Sequence, residues 1–181
     1  MVLWIDADSC PRAARDLVCK TGKRLGLPVR FVANHPIPGT DGLPFEMVLP
    51  EARADAADDY IVENSEPGDL VVTRDIPLAK RLVDRSIPVI NDRGVVYTER
   101  NINERLSMRN LMLDLYKNGI APDRTGTYGK KELNEFANAL DREVQRLARA
   151  ARNAARNAAR SAARNAAGDS TGDEPYIPPG P

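Results

Sequence analysis

Val2-Leu3-Trp4-Ile5-Asp6-Ala7-Asp8-Ser9-Cys10-Pro11 is the stretch that decides how this chain reads. An apolar run ends abruptly in two carboxylates, Asp6 and Asp8. Ser9 and Pro11 then suit a helix start, Ser9 as its cap and Pro11 as its first residue. A buried strand with two acids at its mouth is a poor way to stabilise a fold. Ionised carboxylates repel, and desolvating them is costly unless a cation offsets the charge. Mg²⁺ and Mn²⁺ are hard ions that prefer oxygen ligands, so this strand reads as a carrier of acids to a divalent metal.

Working outward, the first helix is expected to run to Leu25 and stop at Gly26, before a second strand at Val29–Ala33. Pro and Gly between Asn34 and Pro44 force a loop, and Phe45–Leu49 can form a short strand. Ala52 to Asn64 reads as helix, Leu70–Thr73 as a buried strand, and Ile76 to Arg85 as helix. Pro88–Ile90 is a short strand, Asp92-Arg93-Gly94 a turn into Val95–Tyr97, and Thr98 to Lys117 a helix. Strands that alternate with helices predict an α/β fold with a mainly parallel sheet and right-handed crossovers. A loop over 118–129 precedes a last helix that begins near Gly129 and continues through Ala-rich sequence.

In open α/β sheets, ligands bind beyond the carboxyl ends of the strands. Asp6 and Asp8 follow the first strand, and Asp75 follows the strand Leu70–Thr73, so they can share one edge. Asp55 and Asp58 are three apart and share a helix face, whereas Asp59 is rotated away. These acids can therefore meet at one site and raise one another's pKa unless a cation is present. One or two Mg²⁺ or Mn²⁺ ions there would activate water and neutralise charge on a phosphodiester, with no side-chain nucleophile required. Asp6, Asp8 and Asp75 are the expected catalytic acids. Asp6, Asp8, Asp55, Asp58 and Asp75 are the expected metal ligands, with Ser9 and Thr73 as polar helpers.

Plainer roles compete with these. Asp8 and Ser9 can simply cap the first helix, Asp75 can cap the helix that follows it, and Asp55, Asp58 and Asp59 can form a solvated face. Cys10 could be a nucleophile at a helix N-terminus, but reads more readily as a small packed residue. His35, in a Pro-rich loop, has no evident partner, and Cys19 reads as core.

The chain has 181 residues, enough for one α/β core plus an appendage. Lys+Arg and Asp+Glu balance at 26 each, so the net charge says nothing of partners. Its distribution does, because acids crowd the first half and arginines the end. Two cysteines and one histidine exclude a disulfide scaffold or a Cys/His zinc site. The apolar start is too short for a signal peptide and no run approaches a membrane span, so a protein of a reducing cytoplasm is expected.

Arg142, Arg146, Arg149, Arg152, Arg156, Arg160 and Arg164 recur every three or four residues in an Arg-Asn-Ala-Ala pattern, with Ser161 once replacing Asn. Alanine and arginine are strong helix formers, so a cationic helix is expected over 148–167, followed by a tail at 168–181 with the composition of disorder. Such a stripe suits a nucleic-acid phosphate backbone and carries no base readout by itself. The alternative is a solvated low-complexity extension.

Several linked segments resemble the bacterial YaiI/YqxD family, also called UPF0178 or DUF188. They are Trp4-Ile5-Asp6-Ala7-Asp8-Ser9-Cys10-Pro11, Ala54-Asp55-Ala56-Ala57-Asp58-Asp59-Tyr60-Ile61-Val62, and Pro67 to Ala79. Arg93-Gly94, Tyr97-Thr98, Asn101-Ile102, Arg105-Leu106 and Met108-Arg109 continue the match, and Phe136 to Asp141 close it. The resemblance covers about residues 1 to 147. It implies a PIN-like three-layer α/β/α sandwich, grouped with metal-dependent ribonucleases. The acids of that fold then map onto Asp6, Asp55 or Asp58, and Asp75, while Asp8 belongs to the family's own motif. Asp92 stands where relatives are expected to carry Pro, so no metal role is carried onto it.

Three functions remain in play. The first is a divalent-metal nuclease acting on RNA. The second is a nucleic-acid-binding module that is catalytically silent. The third is a haloacid-dehalogenase-type phosphatase, because Asp6-Ala7-Asp8 after a strand also looks like its nucleophile motif. The lack of a clear late acidic pair and of a cap domain argues against the third.

Overall fold

The computed structural model describes residues 1–37, 45–50, 53, 55–120 and 127–168. The expected loop positions 38–44 and 121–126, and the tail from 169 onward, lie outside the described residues. The chain divides into two compact units, Met1–Leu147 and Ala148–Pro181.

The first unit is built in the order β1 (Leu3–Asp6), α1 (Arg12–Leu25), β2 (Val29–Val32), β3 (Glu46–Val48), α2 (Ala56–Asn64), β4 (Leu70–Val72) and α3 (Ile76–Asp84). There follow β5 (Val89–Ile90), β6 (Val96–Tyr97), α4 (Glu99–Lys117) and the start of α5 (Lys130–Gly168). The strands form one sheet in the order β3-β2-β1-β4-β5-β6. All pairings are parallel except the hairpin between β5 and β6. The α/β class and the mainly parallel sheet agree with the reading of the sequence.

β1 lies between β2 and β4, with Leu3 paired to both Val29 and Leu70. That central place explains why its residues are apolar in succession rather than alternating: both faces of the sheet are covered. Leu3 and Ile5 pack with Ala14, Val18 and Cys19 of α1 and with Phe136, Leu140, Val144 and Leu147 of α5. Trp4 points the other way, into Ile61 of α2, Leu78 and Leu82 of α3 and Ile102 of α4. The result is three layers, with α1 and α5 on one side and α2, α3 and α4 on the other. Each such large side chain removed from water contributes about 2 kcal/mol. The indole Nε1 of Trp4 donates to Asp69 Oδ2 at 3.0 Å, and Val2 N donates to Asp69 Oδ1 at 2.7 Å, which pins β1 to the turn before β4.

Local chemistry sets the ends. α1 stops where Gly26 adopts a left-handed conformation (φ 65°), and Leu27 N then donates to Gly22 O at 2.9 Å. The hairpin turn needs Gly94 (φ 81°) for a second reason: a Cβ there would stand 2.5 Å from Glu135 O. α4 opens with Asn101 Oδ1 accepting from Thr98 N at 3.0 Å. α2 begins at Ala56, later than the expected start at Ala52, which lies outside the described residues.

The order of the strands places the site. From β1 the chain moves to β2 and β3 on one side, then crosses back to β4 on the other. The carboxyl ends of β1 and β4 therefore flank the point where the winding reverses, and there an open sheet leaves a crevice.

α5 continues into the second unit, where it is described as far as Gly168, one residue past the expected end. Arg149, Arg152, Arg156, Arg160 and Arg164 are exposed there. At 3.6 residues per turn these five fall within a sector of about 120° along about 22 Å of helix, a single cationic stripe.

Candidate functional site

At that crevice lies a cavity of about 280 Å³ whose walls include Asp6, Asp8, Asp55, Asp58 and Asp75, with Ser9, Asn34 and Ala57 between them. β1 supplies Asp6 as its last residue, the turn after it supplies Asp8 and Ser9, and Asn34 stands past the end of β2. Asp55 and Asp58 come from the start of α2, and Asp75 from the start of α3.

Asp6 and Asp75 are linked through one side chain. Thr73, fully buried, donates from Oγ1 to Asp6 Oδ2 at 2.6 Å and accepts from Asp75 N at 2.9 Å. Asp6 is 4 % exposed, and burial holds its carboxyl above the ordinary range; hydrogen bonds from Ser9 and Thr73 oppose that rise, and Asp8 adds to it. Asp75 also caps α3, with Oδ1 accepting from Leu78 N at 2.9 Å. The capping role and the place in the cavity are thus compatible, and the helix N-terminus favours a carboxylate there.

Asp58 reports on the whole group. Its carboxyl is pushed up to about 6, first by burial, then by the charges of Asp6, Asp75 and Asp55, against a small pull from Arg81. Asp55 is the N-cap of α2 in a left-handed conformation (φ 59°), not a residue within the helix. Asp59 does turn away: it accepts from Arg53 and from Arg81, each at 2.7 Å, and these bonds hold its carboxyl below the ordinary range.

Asp8 is held by a residue the sequence reading missed. Asn34 donates to Asp8 Oδ2 from its backbone N at 2.8 Å and from Nδ2 at 3.0 Å. The available signal was its place just after a parallel strand, at the same edge as the acids. His35, expected to have no partner, has Nδ1 3.6 Å from Asp8 Oδ1.

One expectation, the cap by Ser9, is corrected, and the reading of Cys10 as a packed residue is borne out. Ser9 does not cap α1. Pro11 occupies the N-cap position, its carbonyl accepting from Ala14 N and Arg15 N, while Ser9 Oγ accepts from Arg74 N at 3.1 Å and so ties the end of β1 to the end of β4. Cys10 is no nucleophile in this setting: burial pushes its thiol far above the ordinary range, and Sγ lies against Val72 O. Cys19 is likewise buried, its thiol pushed up to about 11, as expected of core.

Asp92 was not read as buried, yet it is fully so, and neither carboxyl oxygen has a hydrogen-bond partner. Its nearest cation is Arg74 Nε at 3.3 Å, and burial raises its carboxyl against the pull of Arg74 and Arg93. It does not line the cavity. Arg142 and Arg146, at the end of the first unit, are exposed, and Arg146 Nε donates to Glu143 Oε2 at 2.7 Å.

The all-oxygen donor set suits a hard divalent cation. Among the described residues, however, no group of three or more His, Cys, Asp or Glu side chains is already gathered about one point that could hold a metal ion. Asp6, Asp8 and Asp75 each commit an oxygen to a protein donor, which keeps the carboxylates around the rim of the cavity. The chemistry fits such an ion, and the spacing as described is open.

Fold and site together define an α/β/α protein with a carboxylate-lined cavity at the switch point of a parallel sheet. The chain belongs to the YaiI/YqxD family: the family model described as "Uncharacterized BCR, YaiI/YqxD family" matches residues 4–146. The UPF0178 protein of Treponema denticola is 54 % identical over 141 residues, covering 78 % of this chain and 90 % of that one. That of Treponema pallidum is 53 % identical over 152 residues, covering 84 % and 86 %. The UPF0178 protein PA5247 of Pseudomonas aeruginosa is 44 % identical over 151 residues, covering 83 % and 94 %. No solved structure matches the chain. The arginine stripe of the second unit lies beyond the family match. No described helix is long and apolar enough to cross a membrane.

Proposed function

We propose that this protein is a divalent-metal-dependent nuclease that hydrolyses RNA phosphodiesters, with Mg²⁺ or Mn²⁺ held by Asp6, Asp8, Asp55, Asp58 and Asp75. The observation that carries this reading is the convergence of five carboxylates on one cavity, close enough that three of them raise the pKa of a fourth. Once bound, such an ion supplies a Lewis acid and a water of lowered pKa. The chain's own part is positioning. Thr73 fixes the relative place of Asp6 and Asp75, Asn34 fixes Asp8, and Ser9 joins the two strand ends that carry them. Asp58, protonated in part near neutral pH, releases that proton as positive charge enters the cavity. The arginines from Arg142 to Arg164 would hold the phosphate backbone through charge alone, with binding that falls steeply as salt rises.

Cleavage of a panel of structured and single-stranded RNA and DNA, with Mn²⁺, Mg²⁺ or EDTA, tests the reading. Asp6→Asn and Asp75→Asn proteins serve as controls. Metal-dependent cleavage lost in both supports it. No cleavage of any substrate, with salt-sensitive binding retained by both variants, sinks it in favour of a binding module. That second reading draws on the exposed arginine stripe of the second unit, which needs no acid site to hold a strand.

A further inference from the structure

Asp59 does not line the acid cavity, yet its two oxygens reach segments on either side of α2. Oδ2 accepts from Arg53 Nη1 and Oδ1 from Arg81 Nη2, each at 2.7 Å. Arg53 stands just before α2, and Arg81 belongs to α3, within two turns of Asp75 at its start. One carboxylate therefore joins the approach to α2, α2 itself and α3.

The turn closed in this way is unusual. A helix N-cap ordinarily has extended backbone, whereas Asp55, the N-cap of α2, is left-handed at φ 59°, and its side chain caps no amide. Among the described residues only Ser86 shares that sign of φ without being glycine. A side chain in this region costs energy and persists where its surroundings hold it. Here Arg53 O accepts from Ala56 N at 3.3 Å, and Asp55 O accepts from Asp59 N at 2.9 Å. The Arg53 guanidinium then closes the loop onto Asp59, four residues past Asp55. The Asp55 carboxylate, spared from capping, is left to line the cavity.

We propose that Asp59, bridged by Arg53 and Arg81, is the positioning residue that sets Asp55 and Asp58 against Asp75 for a cation. The inference rests on the reading of the cavity as a cation site. The start of α2 brings two carboxylates towards the acid at the start of α3, and like charges drive such ends apart. The charges of Asp55 and Asp75 are both felt at Asp58. The bond from Arg81 to Asp59 ties α2 to α3 against that repulsion. Both arginines are partly exposed, so these pairs add little to global stability. Their effect is on placement, and groups that orient the ligands of a metal alter its affinity by about 10–100-fold.

Mn²⁺ titrations of the full chain followed by electron paramagnetic resonance, with amide hydrogen exchange in EDTA, test the proposal. Asp59→Ala and Arg81→Ala change the local charge in opposite senses. Positioning requires both to weaken Mn²⁺ binding, by about tenfold or more, and Arg81→Lys to recover most of the loss. It also requires the amides at positions 56 and 59 to exchange faster in both variants without metal, circular dichroism showing unchanged folding. Weaker binding in Asp59→Ala with tighter binding in Arg81→Ala would overturn the proposal, since charge alone would then be acting. Unchanged affinity in both variants would overturn it too. A natural protein that binds no Mn²⁺ would refute the cation site itself. The exchange rates would then still decide the local part: faster exchange upholds the hold on Asp55, and unchanged exchange removes it.

Discussion

Replacing Asp58 by Asn isolates the repulsion inside the cavity. The Asp58 carboxyl is pushed up from 3.8 to about 6. An acid whose folded-state pKa lies above its unfolded value binds its proton more tightly in the folded protein, so its ionisation costs stability. The cost is absent below the unfolded value, grows as pH rises towards 6, and is complete above that. For a wholly buried group the gap between the two values would be worth about 3 kcal/mol. Asp58 is half-buried and solvent screens its neighbours, so about 1–2 kcal/mol is the reasonable figure. In a chain of this size 1 kcal/mol moves Tm by about 2–4 °C, and Asp58→Asn should therefore raise Tm by about 3–6 °C near pH 7.5 in EDTA. Near pH 4, where Asp58 is protonated in the folded state and roughly 40 % so in the unfolded one, the gain should shrink to about 1 °C. Millimolar Mg²⁺ should raise Tm of the natural protein more than that of the variant, because an ion gains more from an ionised carboxylate than from an amide. Thermal melts followed by circular dichroism at both pH values decide the matter. Equal melting temperatures near pH 7.5 would refute the reasoning. So would a gain that persists at pH 4, since the amide would then be packing better and not relieving charge.

Other substitutions probe the supports. Thr73→Val removes the donor to Asp6 and the acceptor for Asp75 N, and should cost about 2–3 kcal/mol in urea unfolding, with Thr73→Ser recovering most of it. Gly94→Ala combines a left-handed φ with a Cβ 2.5 Å from Glu135 O, and should lower stability by about 2–4 kcal/mol in the same assay. Asp92→Asn should stabilise the protein by an amount that grows as pH rises above the ordinary carboxylate value of 3.8 and vanishes below it, the loss of Arg74's ion pair limiting the gain, as melts from about pH 3.5 upward would reveal. Replacing Arg156, Arg160 and Arg164 together by Ala should weaken RNA binding about equally for all sequences and reduce the slope of log affinity against log salt by about 2.

The site was legible in the sequence to the extent that strand ends are legible. Asp6 and Asp75 follow short apolar runs, and parallel strands deliver their carboxyl ends to one edge whatever the details of packing. The same logic would have found Asn34, which sits one residue after the buried stretch ending at Ala33, but its amide drew no notice among the prolines that follow. Ser9 was misread because a hydroxyl before Pro11 fits a helix cap equally well on paper. Only the proximity of Arg74, 65 residues on, shows where its lone pair goes. Burial of Asp92 was invisible for a related reason: a turn of Asp, Arg and Gly reads as solvent-facing, and its neighbours Arg74 and Tyr128 are distant in sequence. Nor does local sequence tell that the later part of α4 outruns the core, since its apolar spacing is that of an ordinary packed helix.

The acids of this chain fall into two groups by what balances them. Ion pairs seen among the described residues serve Asp16, Asp59, Asp69, Asp84, Asp92 and Asp141, and His35 lies beside Asp8. None of them serves Asp6, Asp55, Asp58 or Asp75. Asp69 shows what a structural acid looks like here: it accepts from Trp4, Val2 and Glu66 and joins two elements. Asp6, Asp8 and Asp75 receive hydroxyl and amide donors, which orient a carboxylate without cancelling its charge. Thr73 ties the Asp6 carboxylate to the backbone N of Asp75, which holds the two strand ends together without bringing a cation to either acid. A fold that needed only stability would gain from placing an arginine in the cavity. An arrangement that holds several like charges in place, and leaves them without a side-chain counter-charge, is favourable when the balancing charge comes from outside the chain. That requirement, more than any single acid, is the physical case for a cation at the switch point.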